Sequence, residues 1–393
     1  MHSKNKIYSG SQRTIYLFSH GFPEEQGEVF LQGETAQAIK DGYRIIYCPY
    51  NVHSSKENVL NKELIKNPKD KWQALRYIIK DLFKHPGIIF KQFRFNLALV
   101  SERIAAARFY AQQIEQNAVV YTYWFDELAI MARFIKIFRP DIRWVSRAHA
   151  FDVYGDDGGR SVLFYKRNKI SLVDTLYVVS ENGAEHIKKQ YPEHFNKIKV
   201  SYLGTEPFGP SPEVAQPERF VFATCAYMVA RKRLTMLMEM VDHLKIKEIV
   251  WHVIGDGPEK KILEELALER KDKLKCIFHG SCELDEISDI YKNNIDCFIN
   301  VSSNEGLPMS IMEATSAGIP VIATDVGGTR EIVNETTGFL VDKDISPKTL
   351  ADVINQNLGK FKRTDFREGV KDYWKINFAA HINYSKFYKS ISR

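Results

Sequence analysis

Two carboxylates, Glu305 and Glu313, stand eight positions apart in "NVSSNEGLPMSIMEATSAGIPVIATDVGGTREIV", Asn300 to Val333. Between them lies Gly306-Leu307-Pro308, and beyond them come Gly318-Ile319-Pro320 and the Gly327-Gly328 pair. Ionised carboxylates only accept hydrogen bonds, so they suit the paired hydroxyl donors of a sugar or a ribose. Pro308 fits the first turn of a helix, where a missing N–H costs nothing. That reading puts Glu305 on a strand-to-helix loop and Glu313 about one and a half turns into the helix. Loop amides and a helix N-terminus together favour an anion. On spacing alone, a helix-start glutamate plus a surface glutamate is the favoured explanation of the pair.

Other residues offer matching chemistry. Lys232, in the basic triplet Arg231-Lys232-Arg233 at an expected helix start, is a point charge suited to phosphate; such triplets are also common on solvated faces. Gly255, in "HVIGDGPEKKIL", belongs to a lone GxG without the third glycine of a dinucleotide motif. His149, with Asp152 three residues on, follows a strand-like run in "IRWVSRAHAFDVYGD"; a lone histidine there is often structural. Gly27 in "FSHGFPEEQGEVFLQGE" would allow close backbone approach to a ligand, while Glu28 and Glu34 read as simple helix-start charges. Five cysteines, Cys48, Cys225, Cys276, Cys282 and Cys297, lack metal-site spacing and read as reduced thiols. No acidic pair suggests a metal site.

These candidates need strand ends to hold them. In the second half, "RFVFATC", "EIVWHVIG", "KCIFHG", "IDCFINVS", "IPVIATD" and "GFLVD" alternate with helical periods from Lys232, Pro258, Leu284 and Pro308. In the first half, "TIYLFS", "YRIIYCPY", "AVVYTYW", "IRWVSRAH" and "DTLYVVS" repeat the rhythm around a helical insertion over 55–115. Strands alternating with helices imply right-handed crossovers and parallel sheets. The Pro/Gly-rich "SYLGTEPFGPSPEVAQPERF" reads as a linker. The expected division is 1–208, 209–362 and a C-terminal helical segment 363–393 packing across the domain junction.

At 393 residues, two domains are expected. With 44% hydrophobic and 26% charged residues the composition is that of a soluble globular protein. Lys plus Arg number 55 against 49 acids, a net +6 that fits an anionic ligand but does not by itself argue for nucleic acid. The polar start "MHSKNKIYSGSQRT" lacks a signal-peptide core, and no run approaches the ~18 apolar residues of a membrane span.

The string "SxxEGLPMSIMEAxxxGIPVIATDVGGTREIVxxxxxGFLV" resembles the donor-binding signature of family-four retaining glycosyltransferases. It includes their E-x7-E pair, Gly-Pro-Val strand and Gly-Gly turn. The stretches around Lys232, Gly255, His149 and Gly27 resemble family segments in the same order. This resemblance implies an α/β GT-B architecture, two Rossmann-like domains with parallel sheets facing an interdomain cleft, the acceptor on the first and the nucleotide-sugar on the second. By resemblance, Glu305 contacts the transferred sugar, Glu313 the ribose and Lys232 the diphosphate. Gly306, Leu307, Pro308, Gly27 and Gly255 lie near the donor, and His149 orients sugar or acceptor. The family's diphosphate-binding arginine is replaced by Tyr227, leaving Arg231 as a candidate substitute, and "VSYLGTEP" departs from the usual Asn-Gly-Val-Asp.

The implied activity is transfer of a sugar from a nucleotide-sugar to a glycan or lipid-linked saccharide in surface polysaccharide assembly, with retention at the anomeric carbon. The expected donor is a UDP-sugar, with a GDP-sugar second, and no cofactor, metal or nucleic acid is expected. Two other classes remain open: a GT-B phosphorylase or nucleotide-sugar epimerase, separable by products from donor alone, and a non-catalytic sugar-nucleotide-binding partner. A cytoplasmic location is expected, with peripheral contact on the inner membrane through 76–95. There Lys80, Lys84, Lys91 and Arg94 interleave with Phe83, Phe90, Phe93 and Phe95; a helix burying its aromatics explains that pattern as well.

Overall fold

Among the described residues, short runs rich in β-branched and aromatic residues form twelve strands, which a computed structural model arranges in two separate parallel sheets. The model describes residues 13–24, 28, 30–82, 93–155, 166–209 and 219–392. Gly27 and residues 83–92 of the basic-aromatic segment lie outside them. The chain divides into one unit reaching to Ser201 and including Tyr384–Arg393, and a second spanning Tyr202–Asn383.

The first unit contains β1 (Thr14–Ser19), β2 (Arg44–Pro49), β3 (Val119–Thr122), β4 (Arg143–Ala148), β5 (Thr175–Val178) and β6 (Ile198–Val200). Their order is β2-β1-β3-β4-β5-β6. Ile15 pairs with both Ile45 and Val119, which places β1 between β2 and β3. Every residue of β1 and β3 is buried, as expected when helices cover both faces. One face packs around Phe18, Tyr110 and Trp144. The other packs around Leu17, Tyr121 and Tyr177 with Phe387, Tyr388 and Ile391 of the last helix, Ala380–Ile391. The three-residue β6 is not evident in the sequence because one buried position, Ile198, gives no pattern.

The second unit contains β7 (Arg219–Cys225), β8 (Glu248–Ile254), β9 (Leu274–Gly280), β10 (Cys297–Asn300), β11 (Val321–Thr324) and β12 (Gly338–Val341), in the order β12-β11-β10-β7-β8-β9. Phe222 stacks on Trp251 at 5.2 Å between ring centres in its core.

Both sheets reverse their winding once. The first does so between β1 and β3, and the second between β7 and β10. In open parallel sheets the crevice at the carboxyl ends of such strands is where ligands bind. The loops after β1, β3, β7 and β10 are therefore the places to look.

Candidate functional site

The reversal in the second sheet brings Lys232 and Glu305 together. The chain leaves β7, makes a short 3-10 turn at Ala230–Lys232, and only then enters the helix Leu234–His243. The helix expected from Lys232 thus starts two residues later. Arg233 adopts a left-handed conformation (φ 51°) that breaks the helix there. Its guanidinium donates to the carbonyls of Val301 (2.5 Å), Ser302 (3.3 Å) and Lys343 (2.5 Å), tying the post-β7 turn to the post-β10 loop. Ser303 N donates to Arg231 O at 2.8 Å, while the Arg231 side chain is exposed.

With its turn held in this way, Lys232 Nζ lies 2.6 Å from Glu305 Oε1. Asn300, at the end of β10, donates through Nδ2 to the same oxygen at 3.3 Å. The backbone beneath is fixed by glycine: Gly328 N donates to Gly306 O at 2.8 Å, and a Cβ on Gly327 (φ +54°) would sit 1.8 Å from Glu305 O. No side chain fits there. Leu307 is buried, so of Gly306, Leu307 and Pro308 only backbone can serve a ligand on this loop.

Pro308 is the residue just before the helix Met309–Ser316, one place earlier than its expected position in the first turn. Its ψ of 110° is extended, and Ile311 N donates to Pro308 O at 3.2 Å. Glu313 follows in that helix and is 8% exposed. Its carboxylate makes no hydrogen bond or ion pair with the described residues, and burial pushes its pKa up to about 7. A carboxylate largely withdrawn from water gains when the hydroxyls of a ligand donate to it. Gly255 follows β8, where a Cβ would lie 2.0 Å from Ala226 O, so this glycine lets the post-β7 and post-β8 loops pack backbone to backbone. Tyr227, beside that contact, is 63% exposed.

In the first unit His149 follows β4 and stacks against Tyr123 and Trp124, each at 4.6 Å between ring centres. Asp152 accepts from His149 N at 3.0 Å, anchoring the short helix Ala150–Tyr154. Burial, then the nearby Arg147 charge, pushes the imidazole down to about 3, so His149 is neutral, and Nε2 is buried without a hydrogen-bond partner among the described residues.

Glu28 and Glu34 are not simple helix-start charges. Glu28 is buried and accepts from three successive amides, His20 (3.2 Å), Gly21 (2.8 Å) and Phe22 (2.8 Å), and from Trp124 Nε1 (2.7 Å). It shapes the post-β1 loop because the amides need an acceptor away from water. Glu34 is buried against Arg147 (3.3 Å) and Tyr121 Oη (2.9 Å). Sequence reasoning missed both roles, and it missed Arg233 as a loop tie; Trp124, Tyr121, Arg147 and the carbonyls that Arg233 reaches all lie far away in the chain and leave no local signal. Among the described residues no group of three or more His, Cys, Asp or Glu could hold a metal ion.

Residues 210–371 match the family model described as glycosyl transferases group 1. Over 157 residues the chain is 34% identical to the O-antigen biosynthesis glycosyltransferase WbnH of Escherichia coli, covering 38% of this chain and 43% of that protein. Over 129 residues it is 33% identical to the sulfoquinovosyl transferase SQD2 of Arabidopsis thaliana, covering 32% and 24% respectively. These matches therefore span less than half of each relative's length. Among solved structures, Anabaena Alr3699/HepE in complex with UDP aligns with a TM-score of 0.66 at 15% identity, covering 97% of this chain and all of that one. The fold is thus that of GT-B glycosyltransferases.

Proposed function

We propose that this chain, whose residues 210–371 belong to the group 1 glycosyl transferases, transfers a hexose from a nucleotide-sugar to a glycan or lipid-linked saccharide in surface polysaccharide assembly. The observation that carries the reading is the Lys232–Glu305 pair at the reversal of the second sheet, with unpaired Glu313 in the helix that follows. Glu313 accepts from the ribose hydroxyls and Glu305 from the sugar, while Lys232 turns to the diphosphate. The acceptor oxygen bonds to the anomeric carbon as its bond to the diphosphate breaks, and the bonding pair leaves with the diphosphate. Lys232 and the positive end of the Met309–Ser316 helix stabilise the charge that develops there. No carboxylate is assigned as a covalent nucleophile, and front-face departure with retention suits that arrangement. His149, neutral and stacked, orients the sugar or acceptor. The donor is a UDP-sugar ahead of a GDP-sugar, and transfer runs in the cytoplasm without a metal.

A thermal-shift screen of nucleotide-sugars tests this, because a ligand that binds only the folded state raises Tm by mass action. A specific UDP-sugar should stabilise the protein, and its products should contain nucleoside diphosphate and a new glycoside even in excess chelator. Stabilisation by none, or isomerised sugar as the sole product, would overturn the reading.

Peripheral membrane contact belongs to the same proposal. Trp72 is 68%, Ile79 39% and Phe95 59% exposed, with exposed Lys71, Arg76 and Arg94 among them. Aromatic and basic groups together suit an anionic lipid surface. Among the described residues no helix is long and apolar enough to cross a membrane. Wild type should pellet with anionic vesicles and a Trp72→Ala/Arg76→Glu/Phe95→Ala variant should not; equal pelleting would count against the contact.

A further inference from the structure

Glu305 receives both of its donors on one oxygen. Lys232 Nζ lies 2.6 Å from Oε1, and Asn300 Nδ2 donates to that same atom at 3.3 Å. Among the described residues nothing donates to Oε2. All three residues belong to the second unit.

The two donors differ in what holds them. Lys232 carries its ammonium on a four-carbon stem at the end of a short 3-10 turn. Asn300 is the last residue of β10, where its backbone pairs in register with Ala323 of β11, and it is 8% exposed. Its amide has one orientation, because Oδ1 accepts from Ser302 N at 3.1 Å and leaves Nδ2 for the carboxylate. Ser302 is itself held, since its carbonyl accepts from Thr324 Oγ1 at 2.6 Å and from Arg233 at 3.3 Å.

We infer that Asn300 is the positioning residue that keeps Glu305 in place during transfer; this rests on the reading of the chain as a glycosyl-transfer enzyme. When Lys232 turns to the diphosphate, Glu305 loses its charged partner at the stage where it must meet the sugar. Asn300 cannot follow Lys232, because its backbone lies in the sheet and its amide oxygen is tied to the loop. It keeps its bond to Oε1, and so it keeps Oε2 aimed at the hydroxyls of the transferred sugar. Asn300 itself touches no substrate and moves no proton; its contribution is orientation. A glutamate released from both donors would spread over several rotamers. A misplacement of ~1 Å near a reacting centre can cost on the order of a hundredfold in rate.

The test uses the full chain with UDP, GDP, UDP-glucose, UDP-galactose, UDP-N-acetylglucosamine and GDP-mannose. It reads affinity by calorimetry, and turnover as nucleoside diphosphate released with octyl glucoside or water as acceptor. Asn300→Leu should bind the nucleoside diphosphate within about threefold of wild type, because Lys232 and Glu313 are untouched, while kcat falls roughly tenfold or more. Asn300→Asp keeps the size and the acceptor for Ser302 N but replaces the donor to Glu305 with a second carboxylate. Its kcat should fall at least as far, whereas a purely structural role would leave it near wild type. In Glu305→Ala no carboxylate is left to hold. Asn300→Leu should therefore weaken the tightest of the four donors in the wild-type background and not in Glu305→Ala. An Asn300→Asp kcat within about threefold of wild type overturns the proposal, as does the same loss of donor affinity, or none, from Asn300→Leu in both backgrounds. Failure of wild type to bind any of the four donors instead overturns the glycosyl-transfer reading on which it rests.

Discussion

Lys232 and Glu305, 73 residues apart, neutralise each other across a 2.6 Å contact. A diphosphate must draw Lys232 away from this partner, so the carboxylate competes with the phosphate for the ammonium. Glu305→Gln should therefore leave nucleoside diphosphate binding intact or tighter while transfer falls. Lys232→Met should weaken nucleoside diphosphate by roughly 10–150-fold, the worth of a charged hydrogen bond of about 1.5–3 kcal/mol. Calorimetric titration of nucleoside diphosphate into each folded variant checks both. A Glu305→Gln protein that loses the nucleotide would reverse the assignment.

Glu313 ties ligand binding to pH. Its folded-state pKa of about 7 lies above the ordinary 4.5, so folding favours the protonated form. The stability this confers is complete below about 4.5 and is lost as pH rises through 7, a difference on the order of 3 kcal/mol. Glu313→Gln should accordingly raise the Tm of the ligand-free protein at pH 8 relative to wild type and leave it little changed at pH 4.5. The same variant should weaken nucleoside diphosphate, since ribose hydroxyls prefer the ionised acceptor. Equal pH dependence of Tm in the two proteins would contradict the assignment.

His149 titrates far below neutrality, near 3, because burial and Arg147 disfavour the imidazolium. Its folded-state value lies below the ordinary 6.5, so the stability it confers is present above 6.5 and lost as pH falls toward 3. His149→Phe should keep the stacking on Tyr123 and Trp124 and remove that acid sensitivity. Transfer should nonetheless fall, because the ring nitrogens are gone. Full activity in this variant would leave the histidine a packing residue only.

Arg147 and Glu34 form a buried pair in the first unit, and Arg147 also stacks over Phe387 at 4.1 Å. Removing one member strands the other charge away from water, which costs about 3–5 kcal/mol, whereas replacing both by apolar residues is often near neutral. Arg147→Met and Glu34→Leu should each lower the urea midpoint substantially. The double variant should recover most of the loss. Simple additivity of the two losses would show that the residues act independently.

All the strands except β6, their alternation with helices and the loop from Glu305 to Gly328 are legible in the sequence. Each is a contiguous feature whose cause is local: apolar runs that pack on two faces, a proline that opens a helix, a Gly-Gly turn that no side chain could occupy. The pairing of Lys232 with Glu305, of His20 with Asp126 and of Arg147 with Glu34 is not. These partners lie 73, 106 and 113 residues apart, and they meet only because each sheet reverses its winding or pairs strands out of chain order. Glu28 shows the same limit, since a charge read as a helix start is buried by three amides and an indole N–H that only the folded loop brings to it. The sequence alone determined which residues could bind a nucleotide-sugar. Tertiary structure decided which of them are already paired, which are largely withdrawn from water, and therefore which must change partner when a ligand arrives, because burial and long-range contact set those energies and neither is written in local pattern.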